Sequence, residues 1–283
     1  MTARSDVPMV RESASRSERA TVRKPRSLAN RSVVTPFAPA SPAETSKIAA
    51  GMAELTRLGW KVTERAPTVN QGYFAGTTKT RRDELVGALE RNDIDALVGT
   101  RGGYGSNYLL DELHIPAAAI PKIILGFSDL TSLQIYLWQR FQWVTFYGPM
   151  LAAGLDAGAG APKGYDDKSL LAAIRNTESG WALDLQGKVL NSGEARGLVL
   201  GGCLTLVETA IGTAWELETD GAILVLEDRG MKPWQVDRAL MHLMQAGKFK
   251  GVHGIMLGDF PECESPVAGG PTVRDVCRRI LSP

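Results

Sequence analysis

The sequence has little cysteine, little histidine and little net charge. Its 283 residues include three cysteines and three histidines, and the formal net charge is +1. Three cysteines without C-x-x-C spacing provide neither a disulfide framework nor a zinc motif, and they indicate a reducing compartment. A net charge this small does not predict a nucleic acid or another polyanion as partner.

Long apolar runs are also absent. No run approaches the roughly 18 residues of a membrane-spanning helix, so we expect no contact with a membrane. Charge is uneven along the chain, because residues 1–31 carry a net +5 and the remainder carries −4, as in many cytoplasmic enzymes. Since residues 1–31 lack the apolar stretch of a secretory signal, we expect them to be a disordered basic extension of a cytoplasmic protein.

Short apolar strands alternate with amphipathic helices over residues 32–150. Apolar runs at 94–99 and 121–127 predict buried strands, and apolar residues at helical spacing predict helices over 80–92 and 130–141. This alternation predicts an N-terminal α/β domain with a doubly wound parallel sheet and helices on both faces. At its start, Ser41 followed by a proline is typical of a helix N-cap.

The composition changes after residue 150. Glycine and alanine dominate 152–162 and polar residues follow, so we interpret 151–190 as a linker between two domains. A second strand and helix pattern predicts a smaller C-terminal α/β domain over 191–283.

The most informative stretch surrounds Ser128. An apolar run ends at Gly126, a serine follows after one residue, and Asp-Leu-Thr can then begin a helix. This order is typical of a nucleophile elbow, in which a sharp strand-to-helix turn exposes one hydroxyl. A serine before a helix is also a common cap, so the motif alone is weak evidence for a serine hydrolase.

A glycine-rich segment follows the predicted strand that ends near Gly99. Glycines at 102, 103 and 105 permit unusual backbone angles and close approach of a ligand. Their spacing matches neither a P-loop nor a dinucleotide fingerprint, so nucleotide binding is disfavoured. The functional hypothesis is an oxyanion hole formed by an N–H of this loop and the N–H of Asp129, and the alternative is a tight turn without chemistry. Both motifs follow strands, at the edge where open α/β sheets bind ligands.

Nine segments of the chain resemble, in order, the LD-carboxypeptidases (muramoyltetrapeptide carboxypeptidases), a family that includes the microcin C self-immunity peptidases. The segments are 38–42, 72–76 with Arg81, 100–106, 121–131, 145–150, 201–204, 226–228, 233–238 and 257–260. The resemblance implies an N-terminal sheet like that of class I glutamine amidotransferases and a C-terminal domain of the swivelling type. It also implies no metal or cofactor, and a homodimer.

The resemblance implies a serine–histidine–glutamate peptidase that releases the terminal D-alanine from murein tetrapeptides during cell-wall recycling. Ser128 would be the nucleophile, and Glu227 would orient the histidine. The N–H groups of Gly102 and Asp129 would hold the oxyanion.

Substrate binding is expected from the same glycine-rich loop. Arg101 is our candidate for the group that binds the terminal carboxylate of the peptide, and Gly103 and Tyr104 are expected to contact the substrate beside it. A microcin C immunity-type peptidase is the alternative function, and aromatic side chains able to stack on a nucleobase would distinguish it.

The chain also departs from the family pattern. The Gly-His motif that carries the catalytic histidine of the family has no counterpart after Gly258-Asp259-Phe260, and His114, His242 and His253 do not match it. We therefore expect a chain truncated within its C-terminal domain, and a catalytically dead peptide-binding remnant is a further alternative. Tyr147 replaces the usual histidine before Gly-Pro, and Cys203 replaces the usual asparagine after Gly-Gly.

Glu227 and Asp228 could also be interpreted as the paired carboxylates of a glycosidase. Adjacent residues on a strand point to opposite faces, so this interpretation is disfavoured.

Overall fold

The computed structural model describes residues 21–65, 69–116, 119–177, 180–185 and 187–282. Two parallel sheets organise this part of the chain. The first has the order β2-β1-β3-β4-β5 and the second has the order β6-β7-β8. The strands are β1 (Val33–Phe37), β2 (Lys61–Val62), β3 (Ala96–Gly99), β4 (Ile123–Gly126), β5 (Phe146–Tyr147), β6 (Leu198–Cys203), β7 (Ala222–Glu227) and β8 (Gly254–Leu257).

Helices connect the strands of both sheets. The α-helices are α1 (Thr45–Arg57), α2 (Thr78–Glu90), α3 (Thr131–Phe141), α4 (Asp167–Arg175), α5 (Leu204–Thr209), α6 (Pro233–Gln245) and α7 (Val273–Leu281). Short 3-10 helices occupy Ser106–Glu112, Ser128–Leu130 and Leu155–Ala157. Within the described ranges, no helix has the length and apolar character needed to cross a membrane.

The first sheet is covered on both faces. In β3, Leu97 packs into a core formed with α2 and α3, while Ala96 and Val98 pack into a second core with α1 and α4. This division follows from the two-residue periodicity of a strand, and a strand buried on both faces is apolar throughout. The predicted α/β fold, with a doubly wound parallel sheet and a second smaller parallel sheet, is confirmed.

Helix α3 joins the two sheets. Its buried residues Leu133, Tyr136 and Leu137 belong to a core of the first sheet. Ile135 belongs instead to the core of the second sheet, with residues of α5, α6 and α7. Burial of one such side chain contributes about 1.5–3 kcal/mol. Because α3 begins immediately after Ser128, the same helix fixes the elbow and supports the second sheet.

The structure differs from the sequence prediction in 151–190. Helix α4 lies inside the predicted linker, and its Leu170 and Ile174 are buried in a core of the first sheet. The sequence analysis missed this helix because its nine residues lie among glycine-rich and polar segments, whose composition is typical of a linker.

Residues 21–31 also differ from the prediction of a disordered extension, and residues 1–20 lie outside the described chain. The backbone N–H of Arg23 donates to Gln142 O at 2.8 Å, and its guanidinium lies 5.7 Å from the ring centre of Trp143. Leu28 is buried, and its N–H donates to Ile174 O at 2.9 Å. Order therefore begins before Ser32.

Candidate active site

Ser128 occupies a sharp turn at the end of β4. Phe127 is extended, whereas Ser128 has a φ of +61° and begins the short 3-10 helix that leads into α3. A left-handed backbone is uncommon for a residue other than glycine, and it is found at functional sites where the surrounding structure enforces it. Gly126 permits the turn, since a Cβ there would lie 2.2 Å from Cδ2 of Leu130.

The glycine-rich loop after β3 lies directly against this turn. A Cβ added to Gly102 would lie 3.1 Å from both Cβ and Oγ of Ser128, and 3.3 Å from the backbone nitrogen of Asp129. The α-carbon of Gly102 therefore faces both the Ser128 side chain and the N–H of Asp129, and the oxyanion role of the Gly102 and Asp129 N–H groups stays a prediction. Among the hydrogen bonds of the described residues, neither N–H donates to a protein acceptor.

A buried carboxylate ties the loop to the elbow. Asp129 is 1% exposed, and its side chain accepts from the N–H of Gly105 at 3.3 Å and of Ser106 at 2.8 Å. In return, Ser106 Oγ donates to the backbone carbonyl of Asp129 at 2.5 Å. These bonds fix the loop relative to the serine, which is the condition for preorganised donors.

Arg81 also stabilises this loop, through a hydrogen bond to its backbone. Its guanidinium is buried, donates to Gly105 O at 2.7 Å and to Pro39 O, and lies 4.6 Å from the ring centre of Phe74. Burial lowers the pKa of Arg81, and the charge of Asp129 opposes this effect. Both charged side chains therefore meet at the glycine-rich loop.

Ser41 also serves this loop instead of capping a helix. Helix α1 begins at Thr45, with Glu44 in the N-cap position. Ser41 Oγ accepts from the N–H of Tyr104 at 3.1 Å, and Gly103 has a φ of +100° that brings the loop close to it. The prediction of Ser41 as a cap is wrong because this tertiary contact outweighs the local preference.

Glu227 lies at the end of β7 in the second sheet, close to Ser128. Tyr147, on the last strand of the first sheet, connects them: its hydroxyl accepts from Ser128 N–H at 3.0 Å and donates to Glu227 Oε1 at 2.5 Å. Burial raises the pKa of Glu227, Asp228 and Asp259 raise it further, and the bond from Tyr147 lowers it. Burial and the charge of Glu227 raise the pKa of the Tyr147 phenol.

The second sheet approaches α3 closely beside this connection. Cys203 N–H donates to Thr131 Oγ1 at 3.1 Å, and a Cβ on Gly202 would lie 2.9 Å from Cε2 of Tyr147. Cys203 is buried and its thiol donates to Asp228, and burial raises the pKa of the thiol. A buried thiol with a raised pKa is a poor nucleophile.

Glu227 and Asp228 have different surroundings. Whereas Glu227 faces Tyr147, Asp228 is buried and accepts from the N–H and the hydroxyl of Thr205 at 2.9 and 2.7 Å. The two carboxylates therefore do not flank one space, in agreement with the argument against a glycosidase pair.

The predicted substrate-binding residues belong to the glycine-rich loop that follows β3. Arg101 is exposed, and its Nη1 donates to Pro42 O at 3.0 Å. Tyr104 belongs to an exposed aromatic patch with Tyr73, Phe74 and Tyr108, in which the recorded ring centres lie 4.4 to 6.1 Å apart. The sequence analysis missed this patch, because its members come from two separate segments.

The three histidines lie elsewhere. Nδ1 of His114 contacts Glu112 O, and that of His242, on α6, contacts Glu208 on α5. His253 precedes β8 and contacts Arg196 O, near the start of β7 and thus at the opposite edge of the sheet from Glu227.

An α/β fold with a left-handed serine at a strand end, a glycine-rich loop against it and a half-buried glutamate linked to it through a tyrosine hydroxyl is typical of a serine hydrolase. Comparison with known proteins agrees. Residues 34–148 match the N-terminal domain of LD-carboxypeptidases and residues 196–283 match the C-terminal domain. The chain belongs to the LD-carboxypeptidase family, which consists of serine carboxypeptidases.

Individual relatives extend this comparison. A carboxypeptidase homologue from Streptomyces coelicolor is 35% identical over 252 residues, covering 85% of this chain and 79% of the relative. The murein tetrapeptide carboxypeptidase of Pseudomonas aeruginosa is 32% identical over 198 residues, covering 68% of this chain and 64% of the relative. A structure of the microcin C7 self-immunity protein with aspartyl sulfamoyl adenosine has a TM-score of 0.78 at 25% identity, covering 91% and 86% of the two chains.

Proposed function

We propose that this chain is a serine carboxypeptidase that hydrolyses the amide before the terminal D-alanine of murein tetrapeptides. The observation that carries the proposal is the left-handed backbone of Ser128 at the end of β4, with Gly102 against its side chain. The murein tetrapeptide carboxypeptidase of Pseudomonas aeruginosa supports the substrate class.

In the proposed reaction, Ser128 Oγ attacks the carbonyl carbon of the scissile amide, and the serine proton passes through a general base to the amide nitrogen. The C–N bond then breaks and D-alanine leaves, and water hydrolyses the ester that remains on Ser128. The N–H groups of Gly102 and Asp129 stabilise the oxyanion, a contribution of about 10²- to 10³-fold in kcat for a single donor. The Glu227 carboxylate would orient the general base, which in the family is the histidine of the Gly-His motif, and would stabilise the positive charge that forms on it; His114, His242 and His253 do not fill this role, because they contact other parts of the chain. The buried Asp129 side chain keeps the loop in place while this charge develops.

Substrate positioning is proposed for the residues that follow β3. The exposed Arg101 guanidinium would bind the terminal carboxylate of the peptide, because an arginine can donate two parallel hydrogen bonds to a carboxylate. Gly103 and Tyr104 would contact the peptide beside it.

An amide of an amino acid with a nucleotide is the second candidate substrate. The observation in its favour is the aromatic patch of Tyr73, Phe74, Tyr104 and Tyr108 beside the glycine-rich loop, because exposed aromatic rings stack on nucleobases. The microcin C7 self-immunity protein has been solved with aspartyl sulfamoyl adenosine.

The test compares native protein with Ser128→Ala and with Ser192→Ala, which removes an exposed loop hydroxyl. D-Alanine released from L-alanyl-γ-D-glutamyl-meso-diaminopimelyl-D-alanine is measured by chiral chromatography. In a version of the protein that carries the Gly-His motif of the family, we expect release by the native sequence and by Ser192→Ala, and none by Ser128→Ala. Aspartate release from aspartyl sulfamoyl adenosine without D-alanine release would favour the second candidate. Peptide binding in calorimetry without turnover would contradict the hydrolase.

Location and assembly are part of the same proposal. We propose a cytoplasmic enzyme, supported by three cysteines that are free and buried in the structure. A homodimer stays a prediction from the family resemblance, and sedimentation of the purified protein would test it.

A further inference from the structure

Tyr147 stands at the point where the two sheets meet the nucleophile. It belongs to β5 of the first sheet, and its hydroxyl is shared between the backbone of Ser128 and the carboxylate of Glu227, 80 residues further along the chain. The residue is partly open to solvent, and its hydroxyl lies between these two partners.

The surroundings hold this hydroxyl in one place. The ring packs against Phe127 with 6.2 Å between ring centres, and the backbone of Gly202 leaves no room for a side chain on its other side. Burial and the charge of Glu227 hold the pKa of the phenol above its ordinary value. Tyr147 is therefore the proton donor in its bond to Glu227.

Glu227 needs such a donor. Burial disfavours its charged form, and two further acids, Asp228 and Asp259, repel that charge. The hydrogen bond from Tyr147 is the interaction at this carboxyl that favours ionisation. A carboxylate that is to orient a general base must be ionised at the working pH.

From these contacts we propose that Tyr147 is a positioning residue, whose hydroxyl sets the separation of Ser128 from Glu227 and keeps the Glu227 carboxylate ionised. The inference rests on the proposed function, because it assigns Glu227 the role of orienting the base. It adds a residue whose single hydroxyl contacts both Ser128 and Glu227.

The experiment measures the Glu227 carboxyl directly, by ¹³C NMR titration of protein labelled at the glutamate carboxyl carbons, with the signal assigned through Glu227→Gln. Tyr147→Phe keeps the ring and removes the hydroxyl, so the pKa of Glu227 is expected to rise. Tyr165→Phe is the matched control, since its hydroxyl donates to Glu54 Oε1 at 2.7 Å outside the site. It should leave the Glu227 titration unchanged.

A second variant keeps the test decisive if Tyr147→Phe does not fold. Replacing Tyr147 by 3,5-difluorotyrosine makes the hydroxyl more acidic with little change in ring size, which strengthens its donation to Glu227. The pKa of Glu227 is then expected to fall, opposite to the effect of Tyr147→Phe. A Glu227 titration that moves in neither variant, or that moves equally in Tyr165→Phe, would overturn the inference.

Kinetics separate positioning from a structural role. In Tyr147→Phe, kcat is expected to fall by up to about a hundredfold, as for a misplaced catalytic group, with KM nearly unchanged and the acidic limb of the pH profile shifted upward. If kcat and KM were impaired to the same degree and the acidic limb of the pH profile did not shift, the result would indicate lost stability. It would contradict the positioning role of Tyr147. Failure of Ser128→Ala to abolish D-alanine release would instead refute the proposed function, leaving the titration result intact.

Discussion

The α-carbon of Gly102 faces the side chain of Ser128 so closely that a single added methyl group would lie 3.1 Å from the serine Oγ. Contacts of this length are tighter than ordinary van der Waals contact between carbon atoms. The space next to the hydroxyl is thus kept open by the absence of a side chain at position 102, although its φ is not in the left-handed region.

The first prediction is that Gly102→Ala lowers activity while the protein still folds. The new methyl group would occupy the region between Ser128 and the N–H of Asp129, where the substrate carbonyl must enter. We expect kcat for D-alanine release to fall about a hundredfold, the effect of a misplacement near 1 Å. Steady-state kinetics and thermal melting of the same preparation would measure both quantities.

Gly87→Ala provides the control for this substitution. Gly87 lies within α2, and a Cβ there would have no heavy atom within 4 Å. Alanine should stabilise the helix by roughly 0.5–1 kcal/mol without changing kcat. Equal loss of activity in both variants would show that the effect at position 102 is not local.

The second prediction concerns the anchoring of the loop by Asp129. Asparagine at this position can accept through only one of its terminal atoms, so Asp129→Asn leaves one of the two loop N–H groups unpaired. We expect a loss of about 1–3 kcal/mol in the free energy of unfolding. Hydrogen exchange at Ser106, followed by mass spectrometry, should accelerate as the loop opens.

Asp275→Asn is a matched control, because Asp275 also accepts from a backbone N–H, that of Thr272 at 2.9 Å, but at the exposed start of α7. Its substitution should not change exchange at Ser106. Unchanged exchange at Ser106 in Asp129→Asn would show that the carboxylate does not anchor the loop.

Sequence reasoning located the elbow because its signals are local. The turn occurs where three signals lie within a few positions of each other: the end of an apolar strand, Gly126, and Ser128 two positions later. Ser41 shows the limit of local rules, since its hydroxyl contacts Tyr104, 63 residues away, instead of a helix end. The bond between Tyr147 and Glu227 spans 80 residues and two sheets, so no periodicity or spacing encodes it.

The third prediction is that Arg81→Met destabilises the protein through the loop. Methionine keeps an apolar stem of similar length, but it removes the guanidinium donor from both carbonyls. Gly105 O keeps the N–H of Tyr108 at 3.3 Å, whereas Pro39 O is left unpaired. Each buried carbonyl left unpaired costs about 1–3 kcal/mol. Urea denaturation, analysed with a common slope for all variants, would measure the loss.

Arg82→Met tests whether the loss of a positive charge alone explains the destabilisation expected for Arg81→Met. Arg82 pairs with Glu112, whose side chain is 71% exposed, and exposed pairs contribute about 0–1 kcal/mol. A loss for Arg82→Met as large as that for Arg81→Met would contradict the assigned role of Arg81.

The last prediction follows from the sign of the pKa shift at Glu227. Its pKa is raised above the ordinary value of 4.5, chiefly by burial, so at pH values between the unfolded and folded pKa the folded protein holds more protons than the unfolded chain. By linkage, this group makes the folded state less stable as pH rises through that window, and the full cost is present above the folded pKa.

Glu227→Gln removes this cost, because the amide is neutral at every pH and its oxygen can still accept from Tyr147. We therefore expect the variant to be inactive yet more stable than the native protein at pH 7, with a higher Tm in calorimetry. The difference in Tm should shrink as the pH is lowered through the folded pKa and should vanish below the ordinary value of 4.5, where the native carboxyl is protonated in both states. A native protein that gains stability relative to Glu227→Gln as pH rises from 4 to 7 would show that the carboxylate is stabilised in the fold, and that burial is not the dominant influence on its ionisation.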